Sequence, residues 1–549
     1  MTQASIPYML QHNIAAISVG VNPASAPPAV PSPNVWKFGN HSIITYWHKG
    51  GYPLRPGKSP QSPGGLSRKD CQFVDGLEHV LCFAFRSDNY GPPEDILEIK
   101  TYFNILRYEF PGARIKASTF EDFTSLLIPL KDTFPLVTEE IGDTWIQGPA
   151  SDPIKMQRYR TINRLRSKCV QQGKCDVADK RFDDMSRLLL KLPEHTYGLS
   201  SDYDNKHWSN ADFQPLQYNK QSFLNDTMSW LSHRAFNDLS IEALKDHPLA
   251  KEIKAELAKL SPYLPNLTDY RYHDLNEAIV CKNGMRLKVG RKGALIELMD
   301  VNGRNWADEE HQVGEILYRT FNTSDYARNQ AEYVYEGGVF NKPGMEYTKA
   351  ESRFWDVEAR GAYVTKTGDP CNGGVYVRVV HSDEQTWFKY GAPTSYFIKY
   401  TPRSDRVDVE YQFFNKPSTR LPEALFLKFE PKPQVGHRWY VHKLGYLVDP
   451  YNVILNGSQY VHAVDQGVAY LTSDLKGLLV QSLDVATVAV QTMDHTPSPF
   501  PTPLTPMKTR PTAMAFNFYN NIWETNFVFW YPYQPQDKHY KARFSVIFK

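Results

Sequence analysis

The sequence predicts a multidomain protein of mixed class, α/β in its first part, helical in its middle and all-β in its last half. Three successive patterns carry this expectation. Up to about residue 152 short apolar runs alternate with long connections, and from Pro153 to about residue 260 apolar residues recur at steps of three and four. Past residue 265 the period becomes two. At 549 residues the chain is too long for one core, and the expected divisions are 1–152, 153–264 and 265–549.

In the first division, residues 6–11 read as a short helix. Residues 15–21, 42–47, 80–85, 114–117 and 134–138 read as strands of parallel βα units. The Pro/Gly-rich stretches 23–33 and 53–65 read as surface loops. The chemically densest segment is 134–166. Its apolar run precedes Glu139, Glu140, Asp143 and Trp145, after which Ser151, Asp152 and Pro153 open a basic helix. Carboxylates beside an indole on a strand-to-helix loop suit a hydroxyl-rich ligand such as a sugar; the same residues also serve as helix caps and core filler. Trp47, His48 and Tyr52 follow a predicted strand and suit either a sugar platform or, for Trp47, the core.

The middle division carries two apolar stripes. One is Phe182, Met185, Leu189 and Leu192, ended by Pro193; the other is Leu249, Ile253, Leu257 and Leu260 after Pro248. Both predict core faces of a small bundle. Arg158, Arg160, Arg164 and Arg166 predict a solvated or interdomain face, and His195 either a pocket donor or a helix-end cation. In the last division Val407, Val409, Tyr411 and Phe413 alternate with polar residues, and Asn302-Gly303 has the signature of a hairpin turn. Residues 497–511 read as a long exposed proline-rich loop, and 518–531 as sandwich core.

Lys and Arg total 62 against 60 Asp and Glu, a formal charge of +2, which argues against a general nucleic-acid or membrane-surface binder. Six cysteines lie without CxxC spacing, so no disulfide framework is implied, and Cys169 and Cys175 are expected as free thiols. The amino terminus lacks a signal-peptide pattern and no run has membrane-spanning length, so the chain as given is expected to be soluble and not exported, while the redox compartment stays open. Asn-x-Ser/Thr sequons stand at Asn40, Asn225, Asn266, Asn322 and Asn456, compatible with secretion without requiring it. No HExxH, GxSxG, P-loop or Rossmann glycine pattern occurs, which weakens nucleophilic-hydrolase, nucleotide-dependent and dehydrogenase readings. His381 and Asp383 have a ligand-like spacing but lack further local ligands.

The chain resembles the family called domain of unknown function 5054. The resemblance is carried by ISVGVNPASAPPAVP (17–31), EEIGDTWIQGPASDPIKMQRYR (139–160), LPEHTYGL (192–199), KPSTRLPEALFLKFEP (416–431), SLD (482–484) and FYNNIWETNFVFWY (518–531). That family in turn resembles class II α-mannosidases, which implies a partial parallel α/β barrel, a helical bundle and a C-terminal antiparallel β-sandwich region. It further implies a His-x-Asp metal pair and an Asp-Pro-Gly-His nucleophile segment just ahead of the point where Met1 stands, so zinc is expected only with those upstream ligands. Asp143 falls near the place of a late mannosidase zinc ligand. The expectation is a glycoside hydrolase-like protein acting on a carbohydrate or glycoside, with Asp143 and Glu140 as acid or base. Trp145 would stack the sugar, with His195, Trp47 and Tyr52 as further contacts. A noncatalytic carbohydrate-binding or scaffold protein and a tailoring enzyme on a glycosylated small molecule are the rivals. The oligomeric state is undetermined.

Overall fold

The computed structural model describes residues 1–20, 26–48, 56–83, 86, 91–142, 146, 148–193, 204–333, 342–502, 504–522 and 530–549. The helix Ile6–Gln11 and the strands Ala16–Gly20 and His41–His48 form where the sequence places them. The strand His41–His48 alternates between two cores. Ile43 and Trp47 pack with Ile6, Trp36 and Val137, while Ile44 and Tyr46 pack with Phe123 and Leu127.

The sheet differs from the parallel series expected. Ala16–Gly20 pairs parallel with His41–His48, which pairs antiparallel with Asn34–Phe38, which pairs parallel with Leu136–Val137. The run 134–138 therefore enters opposite in direction to the first and third strands. The carboxyl ends of Ala16–Gly20 and His41–His48 leave from one edge, and that of Leu136–Val137 from the other. A βα-unit reading fails here because Gly39 and Asn40 turn Asn34–Phe38 straight back into a hairpin, with Gly39 at φ +58°. Residues 114–117 form no strand, and Leu81–Cys82 is a two-residue strand antiparallel to Cys71–Gln72. Among the described residues there is no closed barrel.

The helices Pro153–Gln171, Lys180–Leu189, Gln221–Ala243 and Pro248–Ala258 enclose a core of Ile162, Leu165, Phe182, Met185, Leu189, Ile241, Leu249 and Ile253, the stripes read from sequence. Asp152 caps the first of them, accepting from the Lys155 N–H at 3.1 Å, with Pro153 following. Two arginines of that helix, Arg160 and Arg164, turn toward the β-rich part, whereas Arg158 pairs with Asp238 and Arg166 donates to Ser186 within the bundle. Arg160 is nine per cent exposed and donates to the carbonyls of Val464, Asp465, Ser482 and Leu483. Arg234 grips Asp152 through two nitrogens, at 2.6 and 2.8 Å, and Asp537 through a third at 2.8 Å.

The remainder is two large antiparallel sheets of nine and ten strands among the described residues. Val313–Thr320, Glu423–Phe429 and Ala513–Asn520 are adjacent in one, and Ser395–Pro402, Arg406–Phe414 and Tyr540–Phe548 in the other. Their facing side chains, Val407, Val409, Tyr411 and Phe413 among them, share one core. Asn302 and Gly303 do form a turn, although the returning arm makes only the bridge Met299–Asn305. Residues 497–502 are buried rather than exposed, because Phe500 inserts between Phe321 and Tyr326. The cysteine expectation is overturned. Cys71–Cys82, Cys169–Cys175 and Cys281–Cys371 are disulfides; the turn after Gln171 brings the 169–175 pair to a Cα separation of 5.3 Å, Cys71 and Cys82 are direct partners on antiparallel strands, and Cys281–Cys371 ties together loops 90 residues apart in sequence.

Candidate functional site

A groove of about 770 Å³ opens on the flank of the sandwich. One wall is a five-residue π turn, Thr386–Tyr390. The sequence builds it locally: the Asp383 carboxylate accepts from the Gln385 N–H at 2.9 Å, and Gly391, at φ +93°, ends the turn in a left-handed conformation. Thr386 and Tyr390 point into the core. Trp387 and Phe388 are left outward, 36% and 77% exposed, with their rings 6.2 Å apart at 84°.

Ser209, Asn210 and Gln214 form the facing wall. Asn210 donates to the Lys389 carbonyl at 2.8 Å and Gln214 to that of Ser418 at 3.0 Å, which fixes both amides. Asn210 Oδ1 is buried without a hydrogen-bond partner among the described residues. Thr394, Asn415, Pro417, Leu421, Lys389 and Lys538 complete the groove, and none of its described lining residues is a carboxylate.

The floor explains the motif KPSTRLPE. Lys416 and Glu423 are fully buried and ion-paired, and Lys416 also donates to the Gly391 carbonyl at 2.8 Å. Tyr318 donates to the second Glu423 oxygen, and Asn521 accepts the Glu423 N–H at 2.7 Å. Burial raises the Glu423 carboxyl to about 7 against the pull of Lys416, and burial lowers Lys416. Arg420, one per cent exposed, donates to Asp204 Oδ1 at 2.9 Å and lies 4.5 Å over the Trp208 ring. Two buried ion pairs thus hold the loop whose Pro417 and Leu421 face the groove.

The residues expected from sequence lie elsewhere. Asp143, Trp145, His195 and Tyr52 fall outside the described residues. Trp47 is buried, its indole N–H donating to Thr45 Oγ1 at 3.1 Å. Glu140 is completely buried; its oxygens accept from Thr2 Oγ1 at 3.2 Å, the Gln3 N–H at 2.9 Å and Lys443 Nζ at 2.9 Å. His381 is buried, donor or acceptor to Tyr396 at 2.7 Å, with its pKa drawn down to about 3 by desolvation. Among the described residues the one cluster with metal-ligand spacing is Cys281, Asp369 and Cys371, whose cysteines are bonded to each other. That donor set does not fit zinc, because disulfide-bonded sulfurs are not thiolate ligands and a single carboxylate remains. The sequence reading did not single out the groove. Two adjacent aromatics in a polar stretch ended by glycine, EQTWFKYG, are the signal that marks it.

Residues 149–410 match the family described as Domain of unknown function (DUF5054). The matched span includes Ser209 to Thr394 of the groove but not Asn415, Leu421 or Lys538. No curated protein matches the chain. A galactose mutarotase related enzyme from Lactobacillus acidophilus is 9% identical over 50% of this chain and 97% of its own, with a TM-score of 0.27. A 4-alpha-glucanotransferase from Thermococcus litoralis is 10% identical over 100% of this chain and 80% of its own, with a TM-score of 0.24.

Proposed function

We propose that this chain is a carbohydrate-binding protein that holds a glycan in the groove between Trp387 and Asn210. The observation that carries the reading is an exposed indole beside fixed amides and an unsatisfied buried acceptor. A pyranose ring offers an apolar face for the indole and equatorial hydroxyls for Asn210, Gln214 and Asn415. Among the described lining residues of the groove no carboxylate pair is present for acid–base hydrolysis, which favours binding over cleavage there.

Glycoside hydrolysis is the second reading, and it rests on Asp143 and Trp145. The residue ahead of them, Gly142, is fixed in place, donating its N–H to the Met1 carbonyl at 2.8 Å and lying against Ser458. In this reading Asp143 acts as acid or base, Trp145 stacks the sugar and Glu140 supports them structurally.

Titration of a glycan library against the protein, followed by Trp387→Ala, separates the two. Loss of one stacked hot-spot aromatic costs about 2 kcal/mol or more, so affinity falls roughly thirtyfold with the fold intact. Unchanged affinity in Trp387→Ala removes the groove from the function. Turnover of an aryl glycoside that is abolished by Asp143→Asn establishes the hydrolytic reading instead.

A further inference from the structure

All six cysteines are consumed in three disulfides distributed along the chain, with Cα separations of 4.1, 5.3 and 5.4 Å, and no free cysteine remains. A reducing cytosol keeps such thiols apart, whereas oxidising compartments pair them. The second, independent observation is the placement of the sequons. Asn40 is exposed at the tip of the hairpin joining Asn34–Phe38 to His41–His48, beside Gly39, around which a Cβ would meet open space. Asn266 is exposed in the loop ahead of Tyr270–His273. Its Oδ1 accepts from the Thr268 N–H at 3.0 Å and from Thr268 Oγ1 at 2.7 Å, so the acceptor amide and the sequon hydroxyl already face each other in a local turn.

The other three sequons are built into the fold. Asn225 lies inside the helix Gln221–Ala243 with Thr227 buried. Asn322 caps the helix Thr323–Glu332, accepting from Ser324 and Asp325. Asn456 Nδ2, the atom a glycan would occupy, donates to the Pro27 carbonyl at 3.1 Å, and Ser458 is buried.

We propose that the protein matures in an oxidising secretory compartment and carries N-linked glycans on Asn40 and Asn266. In each transfer a bond forms between Asn Nδ2 and the anomeric carbon of a polyprenyl-diphosphate-linked oligosaccharide. The anomeric carbon–oxygen bond to the diphosphate breaks, the amide loses a proton and the polyprenyl diphosphate leaves. Each cysteine pair gives two electrons and two protons to a disulfide donor, which becomes a dithiol.

The test uses protein purified from its own cells, unfolded without reductant and titrated for thiols, then treated with peptide N-glycosidase in ¹⁸O-water and mapped by peptide mass. The expected result is no free thiol before reduction, six after it, and ¹⁸O-labelled aspartate at positions 40 and 266. Thr268→Ala removes the label at 266 alone. An unlabelled position 40 or 266 overturns the assignment of that asparagine, and six thiols titrating before reduction overturn the compartment.

Discussion

Glu140 and Lys443 meet where the amino-terminal segment docks on the sandwich, 303 residues apart in sequence. Lys443 Nζ also lies 3.4 Å from His462 Nδ1, and burial together with the Lys443 charge holds that histidine neutral, well below its ordinary pKa. Removing one partner of a buried pair leaves the other charge without compensation. Lys443→Met should therefore lower stability by roughly 3–5 kcal/mol, read as a drop in the urea midpoint. A midpoint equal to the parent's would show that Glu140 is not held by this pair. None of this was visible one residue at a time. Glu139 and Glu140 are the same residue type side by side, yet Glu139 keeps partial exposure and Glu140 is sealed. Which of them turns inward depends on Lys443, Thr2 and Gln3 arriving from distant parts of the chain. Trp47 is a similar case, since its sequence position suited a sugar platform or the core, and the packing of Ile6, Trp36 and Val137 against it decided for the core.

At the scale of elements, the turn Thr386–Tyr390 shows how a short segment presents a ligand surface. Gly391 closes it in a left-handed conformation, and a Cβ there would come within 2.8 Å of the Thr419 side chain. The backbone penalty for a residue with a Cβ is about 1–2 kcal/mol before the clash is added. Gly391→Ala should accordingly destabilise the fold by roughly 2–3 kcal/mol, seen as a lower thermal midpoint. A thermal midpoint that does not move would show that the turn tolerates the substitution. The long helices were legible because their stripes repeat several times, so that Phe182, Met185 and Leu189 vote together. A single turn of five residues offers no repeat to read. The strand Leu136–Val137 was legible as apolar, but its direction was not, since direction is set by the neighbour it pairs with.

Across the whole molecule, burial leaves several histidines neutral in the fold. His381 titrates at about 3 and His495 at about 4, with His462 well below its ordinary value; desolvation is the leading cause for each. The sign follows directly. These groups favour the folded state fully above the unfolded histidine value near 6.5, and that contribution fades as pH falls toward the folded values. Unfolding at pH 5 therefore takes up protons, and His381 and His495 each contribute about 2 kcal/mol less at pH 5 than at pH 7.5. The urea midpoint should drop over that interval, and less steeply in His381→Asn; a midpoint independent of pH would contradict the burial of these rings. By itself the sequence determined the long helices of the middle section and the alternating strands of the last half, because hydrophobic periodicity is a local consequence of backbone geometry. It also determined the near-neutral charge balance that argues against a general polyanion binder. Tertiary structure alone decided the opposed strand directions of the first sheet, the pairing of all six cysteines, and the meeting of Trp387 with Asn210 across a groove. Those depend on contacts between residues far apart in the chain, whose partners no local pattern names.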